Sequence, residues 1–143
     1  YKMNLKTYLV FILLLITFSS LSGQVVGKIF DSEYADKNFG EVITFVKIDN
    51  TELKSMLSNA GEYIMFNIGS GDIRALDGNR TSVHGKAMSE AEVFYKLSTS
   101  QVKLLLDKGM QNSTSVEMRP ETLTLTNGVY TLEMSFPCPP ICD

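Results

Sequence analysis

His84 is the one histidine of the chain, and Asp72 and Asp77 lie a short way before it. An imidazole beside a carboxylate is what a small hydrolase uses as a general base, provided a nucleophile lies within hydrogen-bond reach. Val83-His84-Gly85-Lys86 carries no nucleophile motif, and the surrounding Ser and Thr residues are ordinary strand and turn choices. No catalytic residue is therefore assigned. Hydrolysis through His84 with nearby carboxylates is kept as a competing function class. A metal centre has less to build on, because both cysteines lie more than 50 residues beyond His84. That is not the spacing of structural zinc, and no metal or cofactor is expected.

The remaining unusual chemistry is Pro137-Cys138-Pro139-Pro140-Ile141-Cys142-Asp143. In an exported chain two cysteines most simply form a disulfide, so Cys138 and Cys142 are a candidate pair. The ring would be small, bent by prolines, and too short a loop to stabilise a domain much. A redox pair prefers C-x-x-C at a helix N-terminus, and this is C-x-x-x-C in a proline-rich tail. A covalent link to another chain and two free thiols stay open. Asn79-Arg80-Thr81 and Asn112-Ser113-Thr114 fit the glycosylation acceptor pattern. Gln24-Val25-Val26-Gly27 resembles the Gln-x-Val-x-Gly wedge of cystatins, one residue short and placed before the first helix instead of after it. This four-residue resemblance implies a protease inhibitor that presents Gly27 beside the hairpin tips at Gly78 and Gly128.

The elements that must position these residues are written twice. Phe45-Val46-Lys47-Ile48-Asp49-Asn50-Thr51-Glu52-Leu53-Lys54-Ser55-Met56-Leu57 returns 49 positions later as Phe94-Tyr95-Lys96-Leu97-Ser98-Thr99-Ser100-Gln101-Val102-Lys103-Leu104-Leu105-Leu106. A period of this size marks one supersecondary unit used again. In each copy an extended run meets a helix start, with Asp49 or Ser98 at the N-cap and Glu52 or Gln101 three residues on, the spacing of a capping box. Leu53, Met56, Leu57 and Ala60 then make one helical face, repeated by Val102, Leu105 and Leu106. Gly61 and Gly109 stand where a left-handed residue ends each helix.

After each helix the pattern alternates. Strands are expected over Tyr63 to Ile68, Asp72 to Leu76 and Arg80 to Gly85. In the second copy they fall over Thr114 to Met118, Thr122 to Leu125 and Val129 to Phe136. Asp77-Gly78 and Asn127-Gly128 predict type I′ hairpin turns. The fold class is α+β: antiparallel sheet with two short helices, an internal duplication of a β-α-β-β-β unit. Repeat 1 covers about 41–89 and repeat 2 about 90–138. An extra strand, Val25 to Phe30, leads into a polar loop over Asp31 to Gly40. On the lead strands, Val42, Val46 and Ile48, and Val93, Tyr95 and Leu97, point to one face, expected to pack on the helices. The opposite face carries Phe45 with Lys47 and Phe94 with Lys96. These four are the candidate binding residues. Their competing role is a second contact layer with the Lys heads reaching water.

The beginning of the chain reads as an address. Met3-Asn4-Leu5-Lys6 is a basic n-region, Tyr8 to Phe18 is apolar apart from Thr17, and small residues follow to Gly23. Residues 1–22 are expected to be a signal peptide cleaved after Ser22, because the apolar run is about half of the roughly 20 residues a span needs. Residues 23–143 then form a single domain that is secreted, periplasmic or at the cell surface. Losing Lys2 and Lys6 changes the net charge from −3 to −5, with 11 Lys and Arg against 16 Asp and Glu. A nucleic-acid partner is excluded on that ground, since phosphate binding needs clustered cations. The expected function is a non-enzymatic binding or envelope-assembly module for a protein or glycan partner.

Overall fold

The computed structural model describes residues 23–86 and 92–133, with the backbone alone of 136–138. The expected leader, the tail from 139 and Cys142 lie outside the described residues. After a first strand β1 (Lys28–Asp31) and a helix α1 (Ser32–Asn38), the chain runs through two series of the same order. The first is β2 (Thr44–Asp49), α2 (Asn50–Asn59), β3 (Tyr63–Gly69), β4 (Asp72–Asp77) and β5 (Ser82–His84). The second is β6 (Phe94–Ser98), α3 (Thr99–Lys108), β7 (Ser113–Met118), β8 (Leu123–Thr126) and β9 (Tyr130–Glu133), followed by β10 (Phe136–Cys138).

The fold is α+β, with two antiparallel five-stranded sheets, β1-β9-β8-β7-β2 and β10-β6-β3-β4-β5. Each three-strand meander takes its lead strand from the other series. β2 pairs with β7, with Phe45 opposite Glu117 and Lys47 opposite Ser115. β6 pairs with β3, with Leu97 opposite Ile64 and Tyr95 opposite Phe66. The expected long strand Val129 to Phe136 divides, β9 staying in the first sheet and β10 crossing to the second beside β6.

One core joins these parts. Leu53, Met56, Leu57 and Ala60 of the α2 side meet Val102, Leu105 and Leu106 of α3. Both helices pack on Ile64, Phe66 and Leu97 of one sheet and Ile48, Val116, Leu125 and Leu132 of the other. Each of these side chains larger than Ala60 contributes about 1.5–3 kcal/mol through burial, so the exchange of lead strands ties the two series into one cooperative unit. Among the described residues no helix is long and apolar enough to cross a membrane.

The polar segment expected to be a loop is helix α1. It lies on the outer face of the first sheet, which the Thr-Leu alternation of β8 makes polar: Leu125 points into the core and Thr124 and Thr126 point out. Ser32 Oγ lies 3.2 Å from Thr126 Oγ1 and 3.0 Å from Thr131 Oγ1, and Ala35 is fully buried beneath the helix. Arg119 fastens the far end. Its guanidinium donates to Asp36 Oδ1 (2.9 Å), Glu117 Oε2 (3.0 Å) and Gly40 O (2.6 Å) while its side chain is almost wholly buried.

Two turns and one helix end differ from expectation, because tertiary partners compete for the same groups. Type I′ geometry, with positive φ at both central residues, occurs at Ser70-Gly71 (57° and 78°) instead. The Asp77 turn has Arg80 N–H on Asp77 O at 3.0 Å, with Arg80 at φ 65°. Asn127 turns inward: its Nδ2 donates to Leu105 O at 3.0 Å and its Oδ1 accepts from the N–H groups of Val129 and Tyr130. It thereby satisfies a carbonyl at the end of α3. Gly109 has extended backbone and no left-handed turn, and a Cβ there would lie 2.9 Å from Asn127 Nδ2. Gly61 does take the left-handed conformation after α2, at φ 72°.

Candidate functional site

The lead strands β2 and β6 carry the four candidate binding residues, and the structure gives them opposite surroundings. Phe94 is fully buried in a small cluster with Met65 and Leu76 on the outer face of its sheet, with the Arg80 guanidinium 5.7 Å from its ring centroid. Phe45 is 57% exposed, next to Ile43 at 67%. Lys96 lays its ammonium 4.3 Å from the Tyr63 ring, whereas Lys47 is exposed. The two pairs lie in different sheets, so no single strip joins them. Phe94 is already spent on packing and Phe45 is not.

The backbone edges differ in the same way. In an antiparallel ladder alternate residues turn their N–H and C=O away from the partner strand. The bond from Thr99 N–H to Glu62 O continues the β6–β3 register, which leaves Phe94, Lys96 and Ser98 facing outward. That side is filled. Lys96 lies opposite Phe136 and Phe94 opposite Cys138 of β10, and Ser98 N–H donates to Val26 O at 2.9 Å. On β2, the bond from Asn50 N–H to Asn112 O sets the same parity, so Phe45, Lys47 and Asp49 face outward. Among the described residues no strand lies beside them. The other outer strands, β1, β5 and β10, have four, three and three residues against six in β2.

Capping shows the same asymmetry. Asp49 accepts the Thr51 N–H at 2.7 Å, and this bond holds its carboxyl below its ordinary pKa. Ser98 makes no side-chain cap. Its hydroxyl accepts the Val26 N–H at 2.8 Å instead, which fixes the segment ahead of β1 to β6. The neighbouring Gly27 has the side chains of Leu97 and Leu132 3.0 Å from where a Cβ would sit. In the segment resembling a cystatin wedge, Val26 and Gly27 are thus packed against the body of the fold, because Ser98 holds both the N–H and the C=O of Val26, while Gln24 and Val25 are exposed.

His84 stands at the end of β5 with Nδ1 3.5 Å from Glu52 Oε1, so Glu52 serves this contact and makes no capping box. Asp77, one of the carboxylates considered with His84, accepts instead from the N–H groups of Asn79 and Thr81. Two clefts carry more character. One of about 500 Å³ is lined by Glu62, Tyr63, Asp77, Asn79 and Lys96. There desolvation and then the Glu62 carboxylate push the Tyr63 hydroxyl above its ordinary pKa. The other, about 350 Å³, is lined by Phe30, Asp31, Tyr34, Lys108 and Tyr130. Phe30 and Tyr34 stack at 5.2 Å, and Lys108 sits over Tyr130. Sequence reasoning missed this aromatic cleft. Its signal was the four-residue spacing of Phe30 and Tyr34 beside the Glu33–Lys37 pair, which is helical spacing.

Among the described residues no three His, Cys, Asp or Glu side chains gather as a metal ion would require. The candidate Cys138–Cys142 pair falls on a residue outside those described. In comparisons with protein-family models, curated proteins and solved structures, the chain matches none.

Proposed function

We propose that the chain is a small exported, non-enzymatic module, built by duplication of a β-α-β-β-β unit, that binds a protein by accepting an extended strand along β2. The observation that carries this reading is the contrast between two edges 49 residues apart. The outward backbone groups of Phe94, Lys96 and Ser98 are matched by β10 and Val26, while those of Phe45, Lys47 and Asp49 have no strand beside them among the described residues. A long edge with exposed apolar side chains is a template for pairing, and main-chain hydrogen bonds supply the affinity when a strand adds to it. Ile43 and Phe45 give an incoming strand apolar contacts, and Lys47 selects against cations. Export rests on the leader pattern of residues 1–22.

The strand that closes the β6 edge is a natural model ligand. A labelled peptide of residues 133–140 should bind the protein and be released by Lys47→Pro. Proline there removes an N–H that faces away from β7, so the native ladder keeps its bonds. Equal binding to the wild type and the Lys47→Pro protein would refute the β2 site. A second reading, a glycan partner, is favoured by the aromatic cleft at Phe30, Tyr34 and Tyr130. The chain has no Trp, so tyrosine fluorescence reports directly on an oligosaccharide titration.

A further inference from the structure

We infer that the strand taken up by β2 is β2 of a second copy, in an antiparallel pair with its two-fold axis at Val46; this rests on the strand-accepting reading above. The backbone fixes which registers can form. Only pairings that set odd residues opposite odd residues bring the outward groups of Phe45, Lys47 and Asp49 together. An axis at Lys47 would oppose Lys47 to itself, and an axis at Phe45 would oppose Asp49 to Glu41. Like charges directly opposite are destabilising. The axis at Val46 opposes no like charges. It sets Lys47 of each copy against Phe45 of the other, a cation beside an aromatic ring, as Lys96 already sits by Tyr63 and Arg80 by Phe94.

The same arrangement places Val46 against Val46, extending the core on which that side chain already packs. It also covers Ile43 and Phe45, the most exposed of the large apolar side chains at this edge. The contact is isologous and closes after two copies, so it joins the β2 edges without leading to fibres. Two five-stranded sheets become one continuous sheet of about ten strands, with the short β1 strands at its outer edges.

Sedimentation velocity over a hundred-fold concentration range tests the inference. The wild type should pass from monomer to dimer, and Lys47→Pro should remain monomeric while keeping the wild-type circular dichroism. In a Cys138→Ser, Cys142→Ser background, Val46→Cys should form a disulfide-linked dimer on mild oxidation. Directly opposite residues of a non-hydrogen-bonded pair lie about 4.5 Å apart at Cα, within disulfide reach. Thr44→Cys should form it at least ten-fold more slowly. A wild type that stays monomeric throughout, or a Lys47→Pro protein that dimerises as well as wild type, overturns the inference. A monomer that still captures the 133–140 peptide at β2 leaves strand acceptance standing and removes only the second copy as occupant.

Discussion

Phe45 and Phe94 occupy matching places in the two series, yet truncating them should have very different consequences. The Phe94 ring is fully buried with Met65 and Leu76 and lies under Arg80. Phe94→Ala leaves a cavity and removes this contact, which costs about 3–5 kcal/mol. Phe45 exposes 57% of its surface, so Phe45→Ala forgoes less than half of a full burial term, about 1 kcal/mol or less. With a urea dependence of about 2 kcal/mol per molar, the middle of the range for small proteins, the Phe94→Ala midpoint should fall by roughly 1.5 M or more. The Phe45→Ala midpoint should move by less than roughly 0.5 M. Urea unfolding followed by circular dichroism at low micromolar protein, where association does not contribute, reads both. Equal shifts for the two variants would refute the claim that matching sequence positions have been put to different uses.

Asn127→Ala removes three side-chain hydrogen bonds and leaves Leu105 O without its partner. The expected loss is about 2–4 kcal/mol in thermal or urea unfolding, and a loss below about 1 kcal/mol would contradict the bridging role. Arg119→Met strands the nearly buried Glu117 carboxylate and should cost about 2–4 kcal/mol, whereas Asp36→Ala, at an exposed partner, should stay within about 0.5 kcal/mol. Asp49→Ala should lower stability at neutral pH. Because the folded carboxyl titrates below its unfolded value, its contribution is present above about pH 4 and fades as the pH falls through the lowered value. The gap between wild type and variant, measured by unfolding from pH 7 to pH 2, should therefore narrow on acidification. A gap that widens would be the wrong sign.

Much of the scaffold was legible because local signals and tertiary demand agree. The buried face Leu53, Met56, Leu57 and Ala60, the lead strands, and the left-handed Gly61 all follow from period and cap chemistry. What escaped reading was decided by partners distant in sequence. Asp31 to Gly40 reads as polar because α1 covers a threonine-rich sheet face, so its buried side needs only Ala35 and a hydroxyl from Ser32. Ser98 has the sequence of a cap, but Val26 claims its hydroxyl. Asn127 has the sequence of a hairpin tip, but the end of α3 claims its amide. The candidate residues Phe45, Lys47, Phe94 and Lys96 were visible as a repeat. Which of the two backbone edges stays open depends on β10 standing beside β6 and not beside β2, and that follows from chain connectivity, which periodicity does not encode.

The most direct test of the β2 edge is amide hydrogen exchange at Phe45 and Lys47, read alongside Phe94 and Lys96 across protein concentration. Phe94 and Lys96, paired to β10, should be protected at every concentration. Phe45 and Lys47 should exchange rapidly in dilute protein and become protected by at least ten-fold as the second copy or an added strand occupies the edge. Slow exchange at Phe45 and Lys47 in the dilute monomer would show that the edge is already covered. Fast exchange at every concentration, with the 133–140 peptide present, would show that it accepts no strand.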